Sequence, residues 1–181
     1  MERTNEKPQA DGLGATVGTI PAKQWGASED SLYPNGRRVK TFFVDGSCEP
    51  RNPGGWACWG WLVYDDQGFF LASGRGCVGQ GDGMTNNVAE YHAALEALRW
   101  AAAQGLTDVI IRTDSQLLAN QAMDVWGCNA TNLWPLLVEV RALMAEIGAV
   151  FEWIPREENT RADTLSRQAY AEARRNGKVA L

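Results

Sequence analysis

The stretch TFFVDGS, Thr41 to Ser47, decides the fold and the chemistry that we expect from this chain. Phe42, Phe43 and Val44 are residue types typical of a buried strand, and Asp45 continues the same apolar run. An ionised carboxylate in an apolar strand is costly unless a cation meets it. The pattern therefore predicts a basic partner or a bound metal ion beside Asp45. The alternative is a strand-end aspartate that opens a turn, because Asp-Gly is a common turn pair.

The composition indicates an ordinary soluble globular domain, since 45% of the 181 residues are hydrophobic and 22% are charged. The 4 cysteines form no C-x-x-C pair and there is 1 histidine, which argues against a zinc site or a thioredoxin-like motif. A reducing compartment fits this cysteine usage best. The sequence has no signal-peptide pattern and no apolar run long enough to span a bilayer. We expect a cytoplasmic monomer that contacts no membrane.

The net charge of −5 argues against nucleic-acid binding by bulk electrostatics alone. Residues 41–181 carry 11 basic and 17 acidic side chains, but 6 of those basic residues fall in the last 26 positions. Any polyanion that this protein handles would therefore need metal ions or the basic C-terminal helix.

The hydrophobic periodicity predicts one folded domain over residues 39–181, preceded by a flexible tail over residues 1–38. The aromatic run Trp56 to Trp61 lies on the second strand. It indicates a central strand covered on both sides, although a base-stacking platform is the alternative. The predicted order is β-β-β-α-β-α-α-β-α. Strands are expected at 40–47, 56–64, 69–77, 108–113 and 149–154, and helices at 86–104, 116–123, 133–147 and 160–176.

Four acidic residues occupy the ends of these elements. Asp45 and Asp114 end strands that helical crossovers make parallel, Glu90 is in the first turn of a crossover helix, and Asp163 begins the last helix. Taken singly, each has an ordinary interpretation as a turn, cap or helix-dipole residue. Together they are expected to meet at one sheet edge, where no lysine offsets their charge. Carboxylates in such a cluster suit Mg²⁺ or Mn²⁺.

Four motifs carry a resemblance to the ribonuclease H type I family. They are DGS from Asp45, TNNxAE from Thr85, TDSQ from Thr113 and ENTRADxL from Glu158, and the resemblance covers about residues 39–168. It implies an α/β ribonuclease H-like fold, a five-stranded mixed sheet flanked by helices. It also implies endonucleolytic hydrolysis of the RNA strand of an RNA/DNA hybrid, leaving 3′-hydroxyl and 5′-phosphate ends.

The resemblance assigns catalysis and metal binding to Asp45, Glu90, Asp114 and Asp163. Two Mg²⁺ or Mn²⁺ ions about 4 Å apart would serve the reaction. Asp45 would bridge both ions, Glu90 and Asp114 would hold the ion on the leaving-group side, and Asp163 would hold the ion that carries the nucleophile.

The resemblance also implies a surface that reads 2′-hydroxyls in the minor groove of the hybrid. Thr85 resembles a residue that grips a phosphate of the DNA strand. The alternative for the asparagines is an ordinary role in turns and caps. The implied groove residues are Ser47, Cys48, Asn52, Asn86, Asn87 and Gln116.

Three positions depart from the pattern of many family members. The segment Val125 to Asn132 is short and has no Lys or Arg where many bacterial members carry a basic insertion, so hybrid binding is expected to depend on Trp126 and the C-terminal helix. Trp153 stands where many members have a histidine. Arg156, seven residues before Asp163, is similar to an arginine of the archaeal-like branch, and we assign the chain to that branch.

Other functions remain consistent with parts of the pattern. The same fold acting on double-stranded RNA or a DNA junction is one alternative, and the TNNxAE motif weighs against DNA. A non-catalytic hybrid-binding or partner-binding domain is another, and the presence of all four acids weighs against it. The last is an acidic α/β domain whose carboxylates are only caps.

Overall fold

The computed structural model describes residues 16–18 and 39–177, which form a mixed β-sheet with helices on both faces. Across the sheet the strand order is β1-β4-β3-β2-β5-β6. The strands are β1 (Thr16–Gly18), β2 (Lys40–Glu49), β3 (Trp56–Tyr64), β4 (Phe70–Gln80), β5 (Val109–Thr113) and β6 (Val150–Trp153). The helices are α1 (Asn86–Ala103), α2 (Gln116–Ala122), α3 (Trp134–Ile147) and α4 (Thr160–Gly177), with a 3-10 turn at Arg156–Glu158.

The sheet topology is the one that the order of elements predicts. Strands β2, β3 and β4 form an antiparallel meander, while β5 pairs parallel with both β2 and β6. Helical crossovers therefore bring the C-terminal ends of β2, β5 and β6 to one edge. The predicted five-stranded sheet is confirmed, and β1 extends it at the outer edge of β4.

Two helices cover opposite faces of the central strands. Gly46 faces α1, because a Cβ built there would lie 2.1 Å from the backbone nitrogen of Glu90. Its neighbour Asp45 faces α4 through a hydrogen bond to Ser166. Successive strand residues point to opposite faces, so both faces of β2 are covered. Trp59 and Trp61 of the adjacent strand β3 are accordingly core residues, only 7% and 2% exposed.

The ends of the helices follow local capping chemistry. The Thr85 hydroxyl accepts a hydrogen bond from the Val88 amide at 3.1 Å, and the Ser115 hydroxyl accepts one from the Leu118 amide at 3.3 Å. Gly148 ends α3 in the left-handed conformation with φ of 67°. The predicted helix boundaries therefore hold to within about two residues, which is the usual uncertainty of a helix end. Among the described residues, no helix is both long and apolar enough to cross a bilayer.

The structure corrects one expectation about the N-terminal segment. Residues 1–38 were predicted to lack secondary structure, yet Thr16 to Gly18 pair antiparallel with Ser73 to Arg75 of β4. Such pairing uses backbone groups and needs no side-chain periodicity, so three residues leave no pattern to read. The rest of that segment lies outside the described residues.

The structure also joins two cysteines that the sequence gives no reason to pair. Cys58 and Cys77 are cross-strand partners in β3 and β4 and form a disulfide, while Cys48 and Cys128 are free thiols. The separation of 19 residues between Cys58 and Cys77 matches no short cysteine motif, and only the register of the two strands brings these two residues together. The cysteine spacing favours a reducing compartment, whereas disulfides persist mainly in oxidising compartments.

Candidate active site

Two parallel strands and one helix bring three carboxylates together. Asp45 lies on β2, Asp114 directly follows the neighbouring strand β5, and Glu90 lies in the first turns of α1. Each offers an oxygen atom, and these three atoms lie within 4.8 Å of one another. The topology therefore forms the acidic cluster from residues 69 positions apart in the chain, as the parallel arrangement predicts.

Gly46 allows the helix to approach the strand so closely. A side chain at this position would collide with the backbone of Ala89 and Glu90 at 2.1–2.7 Å. Without one, the Gly46 amide donates a hydrogen bond to Glu90 Oε2 at 3.1 Å. The DGS motif thus supplies both a carboxylate and the space in which a second carboxylate is held against the strand.

Burial gives Asp45 unusual acid-base behaviour. Its side chain is 4% exposed, and this burial raises the pKa of Asp45 from 3.8 to about 7. A hydrogen bond from Ser166 opposes the increase, while the charges of Asp114 and Asp163 add to it and that of Arg156 opposes it.

Glu90 is perturbed in the same direction. Burial raises its pKa well above the ordinary value of 4.5, the charges of Asp45 and Asp114 raise it further, and the Gly46 amide opposes the shift. Asp45 and Glu90 therefore keep their protons to a higher pH than ordinary carboxyl groups do when no cation is present. Closely spaced carboxylates of this kind are oxygen ligands that suit a divalent cation.

Asp163 lies beside this cluster rather than within it. Its Oδ1 accepts a hydrogen bond from Arg156 at 3.0 Å, and its Oδ2 pairs with Arg167 at 2.9 Å. Asp163 is close enough for its charge to raise the pKa of Asp45. Three of the four acids predicted to converge therefore lie in one cluster, and the fourth, Asp163, lies next to this cluster and pairs with two arginines.

Asn159 and Ser166 contact the cluster, and sequence reasoning assigned neither of them a role. Asn159 is 1% exposed and its Nδ2 donates to Asp114 Oδ1 at 2.6 Å and to the Val44 carbonyl at 2.9 Å. Ser166 donates to Asp45 Oδ2 at 2.6 Å. Asn159 belongs to the ENTRADxL motif, and this motif was the sequence signal that could have identified it as a site residue. Ser166 follows the motif, and only the packing of α4 against the strand shows its contact with Asp45.

Trp153 also contacts the site. It lies at the end of β6, is 47% exposed, and its indole nitrogen donates to the Asp114 carbonyl at 3.2 Å. An imidazole could act as an acid or base at this position, whereas the indole N–H is only a donor.

Hydrogen bonds link some of the residues that are expected to contact a hybrid. Near the end of β2, the Cys48 amide donates to Asn86 Oδ1 at 2.7 Å, and the Asn86 amide donates to Asn52 Oδ1 at 3.1 Å. These bonds tie the 50–55 loop to the start of α1, where Asn87 is exposed. The Thr85 hydroxyl caps α1 by accepting a hydrogen bond from the Val88 amide.

The remaining expected contacts have different surroundings. Ser47 Oγ is buried with no hydrogen-bond partner among the described residues. Gln116 is exposed at the start of α2, and Trp126 is 43% exposed in the loop between α2 and α3. Arg156 is engaged with Asp163. Hydrogen bonds therefore link three of the predicted groove residues, Cys48, Asn52 and Asn86.

Comparisons with known proteins identify relatives of this chain in sequence and in fold. A family model described as "Reverse transcriptase-like" matches residues 43–169. The chain is 36% identical over 142 residues to ribonuclease HI of Halobacterium salinarum, a match that covers 76% of this chain and 67% of that protein. The crystal structure of RNase H1 from the same archaeon superposes with a TM-score of 0.68 at 32% identity, covering 74% of this chain and 98% of that one. LC11-RNase H1, solved in complex with an RNA/DNA hybrid, gives 0.67 at 31% identity, covering 74% and 98%.

Proposed function

This chain belongs to the ribonuclease H type I family and is a ribonuclease H, and from that premise we propose that it hydrolyses the RNA strand of RNA/DNA hybrids. The observation that carries the proposal is the cluster of Asp45, Glu90 and Asp114, whose oxygens lie within 4.8 Å. A related ribonuclease H1 of the same fold has been solved with such a hybrid bound, which supports this substrate class.

The acidic cluster fits a site for Mg²⁺ or Mn²⁺. Its donors are all carboxylate oxygens, and burial together with mutual repulsion raises the pKa of both Asp45 and Glu90. A divalent cation would remove the repulsion and displace the protons, because carboxylates bind such ions in their ionised form. We propose two ions per site, as the resemblance implies.

We propose three roles for the four acids. Asp45 would bind both ions, Glu90 and Asp114 the ion on the leaving-group side, and Asp163 the ion on the side of the attacking water. When bound, the two ions would lower the pKa of that water and stabilise the charge on the departing 3′ oxygen. Hydrolysis of the P–O3′ bond adds water across it and leaves 3′-hydroxyl and 5′-phosphate ends.

The protein groups around the acids would hold them in place during this reaction. Asn159 donates to Asp114 at 2.6 Å, and the Gly46 amide donates to Glu90 at 3.1 Å. Arg156 and Arg167 each pair with one oxygen of Asp163. Each of these carboxylate oxygens has a further lone pair for another partner. We propose that both arginines remain as counter-charges when Asp163 serves as a ligand.

Recognition of the hybrid is proposed for the surface around the end of β2 and the start of α1. Ser47, Cys48, Asn52, Asn86 and Asn87, with Gln116, would contact the minor groove, where 2′-hydroxyls distinguish RNA from DNA. Thr85 would contact a phosphate of the DNA strand, and Trp126 and Arg156 would add contacts outside the groove. The hydrogen bonds that the Cys48 and Asn86 amides donate to Asn86 Oδ1 and Asn52 Oδ1 support a pre-formed surface, since they fix the loop against the helix.

We further propose that residues 39–181 form the catalytic unit and that the protein acts as a cytoplasmic monomer. The family match over residues 43–169 supports the first part. Gel filtration with light scattering would test the second, and a dimer mass would contradict it.

A cleavage assay tests the proposed function directly. End-labelled RNA/DNA hybrid, single-stranded RNA, double-stranded RNA and double-stranded DNA are each incubated with Mg²⁺, Mn²⁺ or EDTA, with Asp45→Asn as the control. We expect cleavage of RNA in the hybrid alone, and loss of it with EDTA or the substitution. Equal cleavage of double-stranded RNA would broaden the substrate class, whereas binding of the hybrid without cleavage would indicate a reader domain.

A further inference from the structure

We propose that Ser166 is a positioning residue that orients the Asp45 carboxylate for cation binding. The proposal deepens the proposed function and rests on it. Among the described residues, the hydroxyl of Ser166 gives the one side-chain hydrogen bond recorded to Asp45, at 2.6 Å from Oδ2.

Burial makes this contact specific. Ser166 is 0% exposed and Asp45 is 4% exposed, so there is little access for water to replace the hydroxyl as a donor. Ser166 Oγ also lies 3.0 Å from the carbonyl oxygen of Asp163, three residues earlier in α4. A hydroxyl has one hydrogen to donate, and the shorter contact to a carboxylate is the stronger of the two. The Ser166 hydroxyl therefore donates its hydrogen to Asp45.

A glycine on the adjacent strand allows the serine to reach this position. Gly60 is the cross-strand partner of Asp45. A Cβ at Gly60 would lie 2.5 Å from Leu165 Cβ and 2.7 Å from the Ser166 amide nitrogen. Its absence lets α4 lie directly on β3, and the backbone of Ser166 is thereby fixed beside the carboxylate.

The hydrogen bond restricts how the Asp45 carboxylate can turn. With Oδ2 held by Ser166, rotation of the carboxylate group is limited, and both oxygens keep a free lone pair for cations. Ligating carboxylates are commonly hydrogen-bonded by groups behind them, and removal of such a group typically lowers metal affinity by about 10–100-fold. We expect the loss of this hydroxyl to act through Asp45 rather than through contact with the hybrid.

The test compares the full-length protein with Ser166→Ala and Ser166→Thr. Ser73→Ala is the matched control, because Ser73 is also a buried serine but lies on β4 outside the cluster. Calorimetry with Mn²⁺ alone and Mg²⁺ alone measures cation binding, and thermal unfolding in EDTA checks that each variant folds. Hybrid cleavage is then measured as a function of cation concentration.

We expect Ser166→Ala to bind Mn²⁺ at least about 10-fold more weakly and to need a correspondingly higher cation concentration for half-maximal cleavage. The KM for the hybrid should stay unchanged at saturating cation. Ser166→Thr, which keeps the hydroxyl, should recover cation affinity relative to Ser166→Ala, and Ser73→Ala should resemble the unsubstituted protein. If Ser166→Ala unfolds, Ser166→Cys gives the same comparison, since it leaves no cavity at this position and offers only a weak donor.

Unchanged cation affinity in a folded variant without the hydroxyl would overturn this inference and leave the proposed function intact. An unsubstituted protein that neither binds these cations nor cuts the hybrid would overturn the proposed function itself. A raised KM at saturating cation, without a change in cation affinity, would assign Ser166 to substrate binding and also overturn the inference.

Discussion

Asp45 gives the metal-free protein an unusual dependence of stability on pH. Its pKa is about 7 in the folded chain against an ordinary value of 3.8. The folded state therefore binds this proton more tightly than the unfolded state does. The stabilising effect of this bound proton is full below pH 4 and is lost as the pH rises through 7. Glu90 contributes in the same direction, because burial raises its pKa as well.

The first prediction follows from this linkage. In EDTA, Asp45→Asn should be more stable than the unsubstituted protein at pH 8, by up to about 4 kcal/mol because each pKa unit corresponds to about 1.4 kcal/mol. The two proteins should approach each other in stability near pH 4. Urea unfolding at a series of pH values measures the difference, and hybrid cleavage by the variant should be undetectable. A variant that is less stable at pH 8 would indicate a structural role for Asp45.

Asn159 is the second residue whose chemistry leads to a prediction. Its side-chain nitrogen donates both to Asp114 and to the Val44 carbonyl, and the residue is 1% exposed. Asn159→Asp removes these donors and places a second negative charge beside Asp114. We expect a loss of at least about 1–3 kcal/mol in the free energy of unfolding at pH 8, since a buried acceptor is left unpaired.

The stability of Asn159→Asp at acidic pH tests this explanation. A protonated carboxyl at position 159 can donate a hydrogen bond, so much of the lost stability should return below pH 5. Asn132→Asp, at an exposed position in the loop before α3, should show no such change. Equal stability of both variants across the pH range would contradict a supporting role for Asn159.

At the scale of elements, the contact between β2 and α1 decides whether Glu90 reaches the cluster. A methyl group at Gly46 would meet the backbone of Ala89 and Glu90 within 2.7 Å, and neither backbone can move without displacing the helix. Gly46→Ala should therefore separate α1 from the strand.

We expect Gly46→Ala to lower the free energy of unfolding by about 1–3 kcal/mol or more and to reduce kcat strongly. Thermal unfolding and the cleavage assay measure the two effects. Gly79→Ala is the control, because a Cβ on that strand glycine meets nothing within 4 Å and its φ is not positive. The prediction fails if the two variants behave alike.

Local signals predicted most of the elements correctly, and the exceptions have physical causes. The Thr85 and Ser115 caps and the stop at Gly148 depend on residues near each other in the chain, which is why the predicted helix boundaries agree with them. Strand β1 and the Cys58–Cys77 disulfide depend on which backbone segments lie side by side. No short window of sequence contains that information.

At the scale of the whole molecule, the net charge of −5 requires localised contacts for a polyanionic substrate. The Val125 to Asn132 loop has no Lys or Arg, but it presents Trp126, which is 43% exposed. We therefore predict that Trp126→Ala raises the KM for the hybrid several-fold and leaves kcat nearly unchanged.

Salt dependence separates this contact from an electrostatic one. An uncharged side chain releases no counterions, so the slope of log affinity against log salt should be the same with and without Trp126. Trp134→Ala, which removes an equally large exposed side chain from α3, is the matched control and should not change KM. An identical rise in KM for both variants would argue against a specific contact by Trp126.

The sequence by itself determined the order of the elements from β2 to α4, the parallel strand ends and the four acids with their motifs, because periodicity, caps and motif residues are local properties. Only the tertiary structure decided that three acids share one cluster while two arginines hold Asp163 beside it. It also revealed Asn159 and Ser166, whose partners Val44 and Asp45 lie 115 and 121 residues away. Contacts over such separations depend on how helices pack on the sheet, down to single glycines such as Gly46 and Gly60 that permit the close approach.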